Sequence, residues 1–202
     1  MTSGLLELCG ITVSFDGFLA LRDLNLNLQP GELRAVIGPN GAGKTTFLDV
    51  ITGKVAPSEG DVLFKGRSLL GRPEHRIARL GIGRKFQSPR VFEQLTVREN
   101  LALAVSRPKQ PWTLLIGGLR GDQRDRVQHL MSIVNLQKRA DWLAGALSHG
   151  QKQWLEIAML EGQDPDLLLV DEPVAVLTDE ESDRTADTLK SLAGEHTVLV
   201  VE

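Results

Sequence analysis

The sequence carries little that would fix it in a membrane, in an oxidising compartment or on a nucleic acid. It has one cysteine, Cys9, in 202 residues. A single thiol cannot close an intramolecular disulfide, which points to a reducing compartment. No apolar run approaches the ~20 residues of a bilayer span. The longest, near 113–119, is interrupted by Gly117 and Gly118. Any work at a membrane is therefore expected through docking on other subunits. Met1–Glu7 shows no basic region followed by a long apolar stretch, so no signal peptide is expected. Basic residues are not in excess: 23 Lys and Arg face 26 Asp and Glu, for a net charge of −3. Nucleic acid is accordingly not an expected partner. No internal repeat and no low-complexity tract is present. The remainder is ordinary, 42% hydrophobic and 24% charged. That suits one large α/β domain, or a core with a subdomain.

Against this background one stretch stands out: Gly38-Pro39-Asn40-Gly41-Ala42-Gly43-Lys44-Thr45-Thr46, which fits the phosphate-binding P-loop pattern. The apolar run Ala35-Val36-Ile37 before it reads as a buried strand, and Thr46–Thr52 after it as a helix closed by Gly53. Glycines let backbone N–H groups turn inward with no Cβ in the way, and a helix N-terminus adds partial positive charge. Lys44 suits the β- and γ-phosphates of a nucleoside triphosphate, and the Thr45 hydroxyl suits Mg²⁺.

Around the loop, Leu5–Phe15 reads as one or two strands, Asp16-Gly17 as a turn, and Leu24–Leu28 as a half-exposed strand. Asp61–Lys65 reads as another strand before a turn at Gly66, which suggests an antiparallel sheet beside a parallel core. Pro73–Leu80 reads as a short helix, and Gly81–Gln87 as a strand running into a loop. Then helical patterns dominate. Thr96–Val105 carries Thr96 and Glu99 as a capping box, Arg107–Gly121 reads as an irregular connection, and Asp122–Asn135 and Gln151–Glu161 are amphipathic. Residues 88–162 thus read as a helical insert within a core formed by 1–87 and 163–202. Leu167-Leu168-Leu169-Val170-Asp171-Glu172 is an apolar strand ending in two acids, as in a parallel strand buried on both faces. Asp179–Leu192 reads as a final helix and His196–Glu202 as a final strand.

Asp171 fits a residue that holds Mg²⁺, directly or through water, and Glu172 is placed to orient or deprotonate an attacking water. Taken alone, two acids at a strand end suit a solvated turn equally well. The P-loop upstream favours the functional reading. Arg84, Lys85 and Arg90 read either as a partner-docking patch or as a solvated face, and Trp112, Trp142 and Trp154 as packing residues.

Several motifs together resemble the ATP-binding-cassette (ABC) ATPases. Leu147-Ser148-His149-Gly150-Gln151 resembles that family's signature sequence, and it stands shortly before the strand that ends in Asp171. Gln87 matches the family's Q-loop, Phe15 its adenine-stacking aromatic, and Pro173–Asp179 the loop after the Walker B strand. The wording around Gly83–Gln87, Leu147–Glu156 and Asp171–Ala175 resembles the nucleotide-binding subunits of urea importers, within the branched-chain amino acid importer branch. The resemblance implies a P-loop NTPase fold with a RecA-like parallel core, an antiparallel β subdomain and an inserted helical subdomain. It implies ATP and Mg²⁺ as ligands. Adenine would stack on Phe15, the phosphates would lie on Gly38–Thr46 and Lys44, and Thr45, Gln87 and Asp171 would surround the metal. Glu172, Lys44 and Gln87 would serve catalysis.

Ser148, His149, Gly150 and Gln151 would cap the γ-phosphate held by a second ATPase subunit, in a homo- or heterodimer. A lone histidine such as His149 is more often a surface residue, but it stands here within the subfamily's own wording. Permease subunits in the membrane would receive the motion, with a periplasmic solute-binding protein acting indirectly. The expected location is the cytoplasmic face of the inner membrane, and the expected task is uptake of urea, with a branched-chain amino acid as the alternative. An ATPase working on nucleic acid or ribosomes, and a nucleotide-binding module without turnover, are the competing classes. Two departures bear on activity. The family carries a histidine just after its last core strand, where this chain stops at Glu202, so a truncated chain with weak turnover is expected. Val176 stands where the loop after Glu172 would carry glycine, which would strain a positive φ.

Overall fold

The computed structural model describes residues 4–85, 90–106, 119–172 and 179–202, with 179–181 described by backbone alone. Gln87, Trp112, Val176 and most of the loop after Glu172 lie outside the described residues. The described chain divides into two compact units, one drawn from Met1–Arg84, Asp166–Glu172 and Leu189–Glu202, the other from Lys85–Pro165 and Pro173–Thr188.

The first unit holds two sheets. β1 (Leu6–Phe15) and β2 (Phe18–Leu28) form an antiparallel hairpin in register from Leu6↔Leu28 to Phe15↔Phe18. The turn between them has Asp16 at φ 46° and Gly17 at φ 87°, both positive, which matches the twist of the flanking strands. β4 (Glu59–Phe64) pairs with the other edge of β1, and the short β5 (Arg67–Ser68) completes the order β2-β1-β4-β5. Leu6, Leu8, Ile11 and Val13 of β1 point inward and are buried, while the residues between them are more exposed. This is the alternation of a sheet with one packed face. The second sheet runs β3 (Leu33–Val36), β8 (Thr197–Val201), β7 (Leu167–Asp171) and β6 (Ile82–Lys85), with β3–β8 and β7–β8 parallel. Every residue of β7 is buried, as its unbroken apolar run requires. Helices α1 (Lys44–Ile51) and α2 (Glu74–Arg79) belong to the same unit, and Phe47, Leu48, Val50, Ile51 and Ile77 join its core. Gly53, at φ 76°, follows α1 as the expected helix stop.

The run Ala35-Val36-Ile37 does not form a buried strand: β3 ends at Val36, its residues are half exposed, and Ile37 is 82% exposed. Among the described residues β3 pairs only with β8, at the edge of the sheet. A short apolar run does not distinguish a central strand from an edge strand.

The second unit is built from α3 (Val97–Val105), α4 (Gly121–Ile133), α5 (His149–Glu161) and the start of α6 (Asp179–Leu192). Val97, Leu101, Val127, Leu130, Met131, Trp154, Leu155 and Ala158 form its core. α3 begins with the expected capping box. Thr96 Oγ1 accepts from Glu99 N–H at 3.2 Å, and Glu99 Oε2 accepts from Thr96 N–H at 2.7 Å. Buried Asn100 fastens the preceding loop. Its Nδ2 donates to the carbonyls of Phe92 (3.0 Å) and Thr96 (2.9 Å), and its Oδ1 accepts from Phe92 N–H (2.8 Å). Trp154 packs as expected and also donates from Nε1 to Thr185 Oγ1 at 3.1 Å, beneath the Arg184 guanidinium 4.9 Å away. That contact explains why the start of α6 groups with the helical unit, although the sequence reading placed it in the core. Trp142 is not a packing residue: it is half exposed, with the Arg139 guanidinium 5.1 Å from its ring.

Candidate nucleotide-binding site

The loop 38–43 joins β3 to α1, and its end is shaped by Gly43. That residue sits at φ 84°, and a Cβ there would lie 2.6 Å from the Ala20 carbonyl oxygen and 2.9 Å from Leu21 Cδ2. Only glycine allows the loop this turn and this approach to β2. α1 starts with no side-chain cap and no acidic residue in its first turn. Its leading N–H groups and its dipole therefore suit an anion. Lys44 Nζ donates to the Gly38 carbonyl at 2.5 Å, folding the side chain back over the loop. Thr45 is exposed on the first turn of the helix.

The acids lie at the same end of the sheet. Gly38 N–H donates to Glu202 O at 2.9 Å, Glu202 N–H to Val36 O at 3.0 Å, and Glu172 N–H to Val201 O at 2.8 Å. These bonds knit the start of the glycine loop, the end of β8 and the residue after β7 into one edge, at the carboxyl ends of parallel strands. Open α/β sheets bind ligands there. Asp171 is buried, and Glu172 holds φ 43°, a left-handed backbone rare for a glutamate. Such outliers cost roughly 1–3 kcal/mol and cluster at functional sites.

Arg84, expected on a solvated face or in a docking patch, is central instead. Arg84, at the end of β6, has a buried side chain. Its Nη1 lies 2.5 Å from Asp49 Oδ1 on α1, and its Nη2 lies 3.1 Å from Asp171 Oδ2. Lys85 beside it is fully buried as well. The sequence signal was the alternation of β6, which offers no cue that a cation faces two carboxylates brought in from distant segments.

Phe15, at the end of β1, is 47% exposed on the β1–β2 hairpin, and Phe18 across the turn is more exposed still. Gly43 meets β2 at Ala20 and Leu21, so the hairpin flanks the glycine loop. In the second unit the signature residues open α5. Ser148 Oγ accepts from Gln151 N–H at 3.3 Å, and Gln151 Oε1 accepts from Ser148 N–H at 3.1 Å. Gly150 is buried and His149 exposed, with its Nε2 3.1 Å from Gln153 Nε2. The buried Gln153 Oε1 has no hydrogen-bond partner among the described residues. Gln87, expected beside the metal, lies outside the described residues.

The donors on helix α1 and strand β7 are a hydroxyl, Thr45, and a buried carboxylate, Asp171. Oxygen donors of this kind fit a hard divalent cation such as Mg²⁺.

Comparison with known proteins agrees with this geometry. The family model described as "ABC transporter" matches residues 21–175. The chain is 37% identical over 213 aligned positions to the high-affinity branched-chain amino acid transport ATP-binding protein BraF of Pseudomonas aeruginosa, covering 100% of this chain and 83% of that protein. It is 39% identical over 195 positions to the phosphonates import ATP-binding protein PhnC of Alcaligenes faecalis, covering 95% and 71%. Among solved structures it resembles MJ1267, an ATP-binding cassette of an ABC transporter, with TM-score 0.83, 27% identity and coverage of 100% and 82%. It also resembles the dimeric post-hydrolysis state of the cassette MJ0796 bound to ADP and phosphate, with TM-score 0.76, 26% identity and coverage of 97% and 86%. Antiparallel sheet, parallel sheet and helical unit are those of such cassettes, and the chain belongs to the ABC transporter family as one of its ATP-hydrolysing subunits.

Proposed function

We propose that this chain is the ATPase subunit of an importer for branched-chain amino acids. It would work as a dimer with a second ATPase subunit on permease subunits at the cytoplasmic face of the inner membrane. BraF supports this solute over urea, because its name assigns it to branched-chain amino acid transport and the match runs the whole length of the chain. The match to PhnC has a comparable identity but covers less of both chains. No helix among the described residues is long and apolar enough to cross a membrane, so contact with the bilayer would run through partners.

The observation that carries the ATPase mechanism is the uncapped start of α1 beside the Asp171–Glu172 edge, joined by the Gly38, Glu202 and Val201 bonds. Backbone N–H groups of 43–46 and the Lys44 ammonium would hold the phosphates once Lys44 leaves the Gly38 carbonyl. Phe15 would cover the adenine with its exposed ring. Thr45 and Asp171 would hold Mg²⁺, with Gln87 a further candidate. The ion would supply charge neutralisation at the β- and γ-phosphate oxygens. Glu172, next after the buried Asp171, would accept a proton from the attacking water. In the closed dimer, Ser148 and the start of α5 would seal the γ-phosphate bound to the other subunit through N–H donors and the helix dipole. Loss of that phosphate removes the contacts and lets the pair open.

Reconstitution with permease subunits of a branched-chain amino acid importer tests the reading. Leucine, isoleucine or valine should be taken up in an ATP-dependent way that a Lys44→Ala variant loses. Uptake of urea or a phosphonate, with no branched-chain uptake, would overturn the solute assignment while leaving the ATPase intact.

A further inference from the structure

We propose that Arg84 is a positioning residue for the metal side of the nucleotide site. A single buried guanidinium would lock the helix carrying the phosphate cradle to the strand carrying the metal ligand. The inference rests on the reading of Asp171 as a Mg²⁺ ligand. Its own support is geometric. The side chain of Arg84 is 7% exposed, and those of Asp49 and Asp171 are 11% and 4% exposed. Nη1 reaches Asp49 Oδ1 at 2.5 Å and stands 3.5 Å from Thr52 Oγ1, both at the far end of α1. Nη2 reaches Asp171 Oδ2 at 3.1 Å. Lys54 adds a more exposed charge 3.4 Å from Asp49 Oδ2.

The planarity of the guanidinium makes this more than neutralisation. Its two terminal nitrogens are held at a fixed angle by delocalisation, so the direction of one hydrogen bond sets the direction of the other. The orientation of the Asp171 carboxylate therefore depends on α1, whose first turn bears Lys44 and Thr45. Mg²⁺ demands near-ideal octahedral geometry and tolerates misaimed ligands poorly. A carboxylate free to rotate would bind the ion less well, even with the rest of the fold intact. A lysine at 84 would keep the charge but reach only one of the two acids at a time. If Arg84 served only to neutralise buried acids, replacing it would lower thermal stability and leave the metal dependence of nucleotide binding unchanged.

That difference sets the test. The Kd of a fluorescent, non-hydrolysable ATP analogue is measured on the purified chain in EDTA and across a Mg²⁺ titration, for the wild type, Arg84→Lys, Asp49→Ala and Asp171→Asn. Each variant is first checked for a cooperative melt. Partners behind a metal ligand typically change metal affinity by about 10–100-fold. Arg84→Lys should therefore raise the Mg²⁺ midpoint at least about tenfold, with the EDTA Kd within about twofold of wild type. Asp49→Ala, which loosens the clamp from its other end, should move the midpoint the same way and keeps the test available if Arg84→Lys does not fold. A folded Arg84→Lys or Asp49→Ala chain with a wild-type midpoint, beside an Asp171→Asn chain whose midpoint has moved, overturns the clamp alone. An unmoved midpoint in Asp171→Asn overturns the ligand reading and the clamp with it.

Discussion

Ser148 serves two purposes that one substitution can separate. It is the N-cap of α5 in this structure, with Oγ accepting from Gln151 N–H, and it is the proposed seal over a γ-phosphate held by another subunit. Aspartate matches serine as an N-cap and adds a charge that the helix dipole favours by about 0.3–1 kcal/mol. Ser148→Asp should thus keep the thermal stability of the chain, whereas Ser148→Ala should lose about 1 kcal/mol. Dimerisation should respond in the opposite sense. A carboxylate about 4 Å from a phosphate oxygen is repelled by roughly 1 kcal/mol in a water-like medium and roughly 4 kcal/mol near a protein surface. A symmetric dimer carries the contact twice, so Ser148→Asp should weaken analogue-driven dimerisation by about 2–8 kcal/mol, or at least roughly thirtyfold. Sedimentation of the Mg²⁺-analogue complex, paired with thermal melts, measures both. A Ser148→Asp chain that melts normally and still dimerises like wild type would refute the sealing role.

Three other outcomes follow from particular contacts. Phe15→Ala should weaken ATP binding by roughly 1–3 kcal/mol in equilibrium titration, the usual worth of a base on an aromatic face, and Phe15→Trp should restore it. Leu169→Ala, in the middle of the fully buried β7, should cost about 2–5 kcal/mol in denaturant unfolding without a change of fold. Glu99 is held below the usual carboxylate range by the Thr96 N–H and then by the Thr96 hydroxyl. Its contribution is therefore complete above the ordinary glutamate range and is lost as pH falls through its lowered value. Stability measured down through mildly acid pH should decline less steeply in Glu99→Gln, which keeps an acceptor for the cap; the difference will be small because the carboxylate is exposed.

The parts of the molecule legible in the sequence are those encoded within a few residues. The glycine loop, the Thr96–Glu99 cap, the Asp16-Gly17 turn and the apolar run of β7 each carry their cause locally, and each appears as expected. Ser148 reads as part of a motif, and the structure adds that its hydroxyl caps the helix. What escaped depends on contacts between distant segments. The two acids of Arg84 lie 35 and 87 positions away, and no periodicity links them. Ile37 is exposed against expectation because hydrophobicity reports a tendency to be covered, while the coverage of β3 depends on where it stands in the sheet. Trp142 departs from expectation for a related reason: the amphipathic indole is stable half exposed when a cation such as Arg139 lies over it.

The account turns on one site shared between two chains, with Lys44 from one and Ser148 from the other, and a mixing experiment reads this directly. Lys44→Ala and Ser148→Asp should each abolish most ATP turnover alone. Mixed in equal amounts, at concentrations that saturate every pairing, they should recover roughly a quarter of wild-type turnover, because half of the pairs are then mixed and each mixed pair has one undamaged site. No recovery on mixing, with mixed pairs shown to form, would mean that each chain completes its own site and would contradict the account.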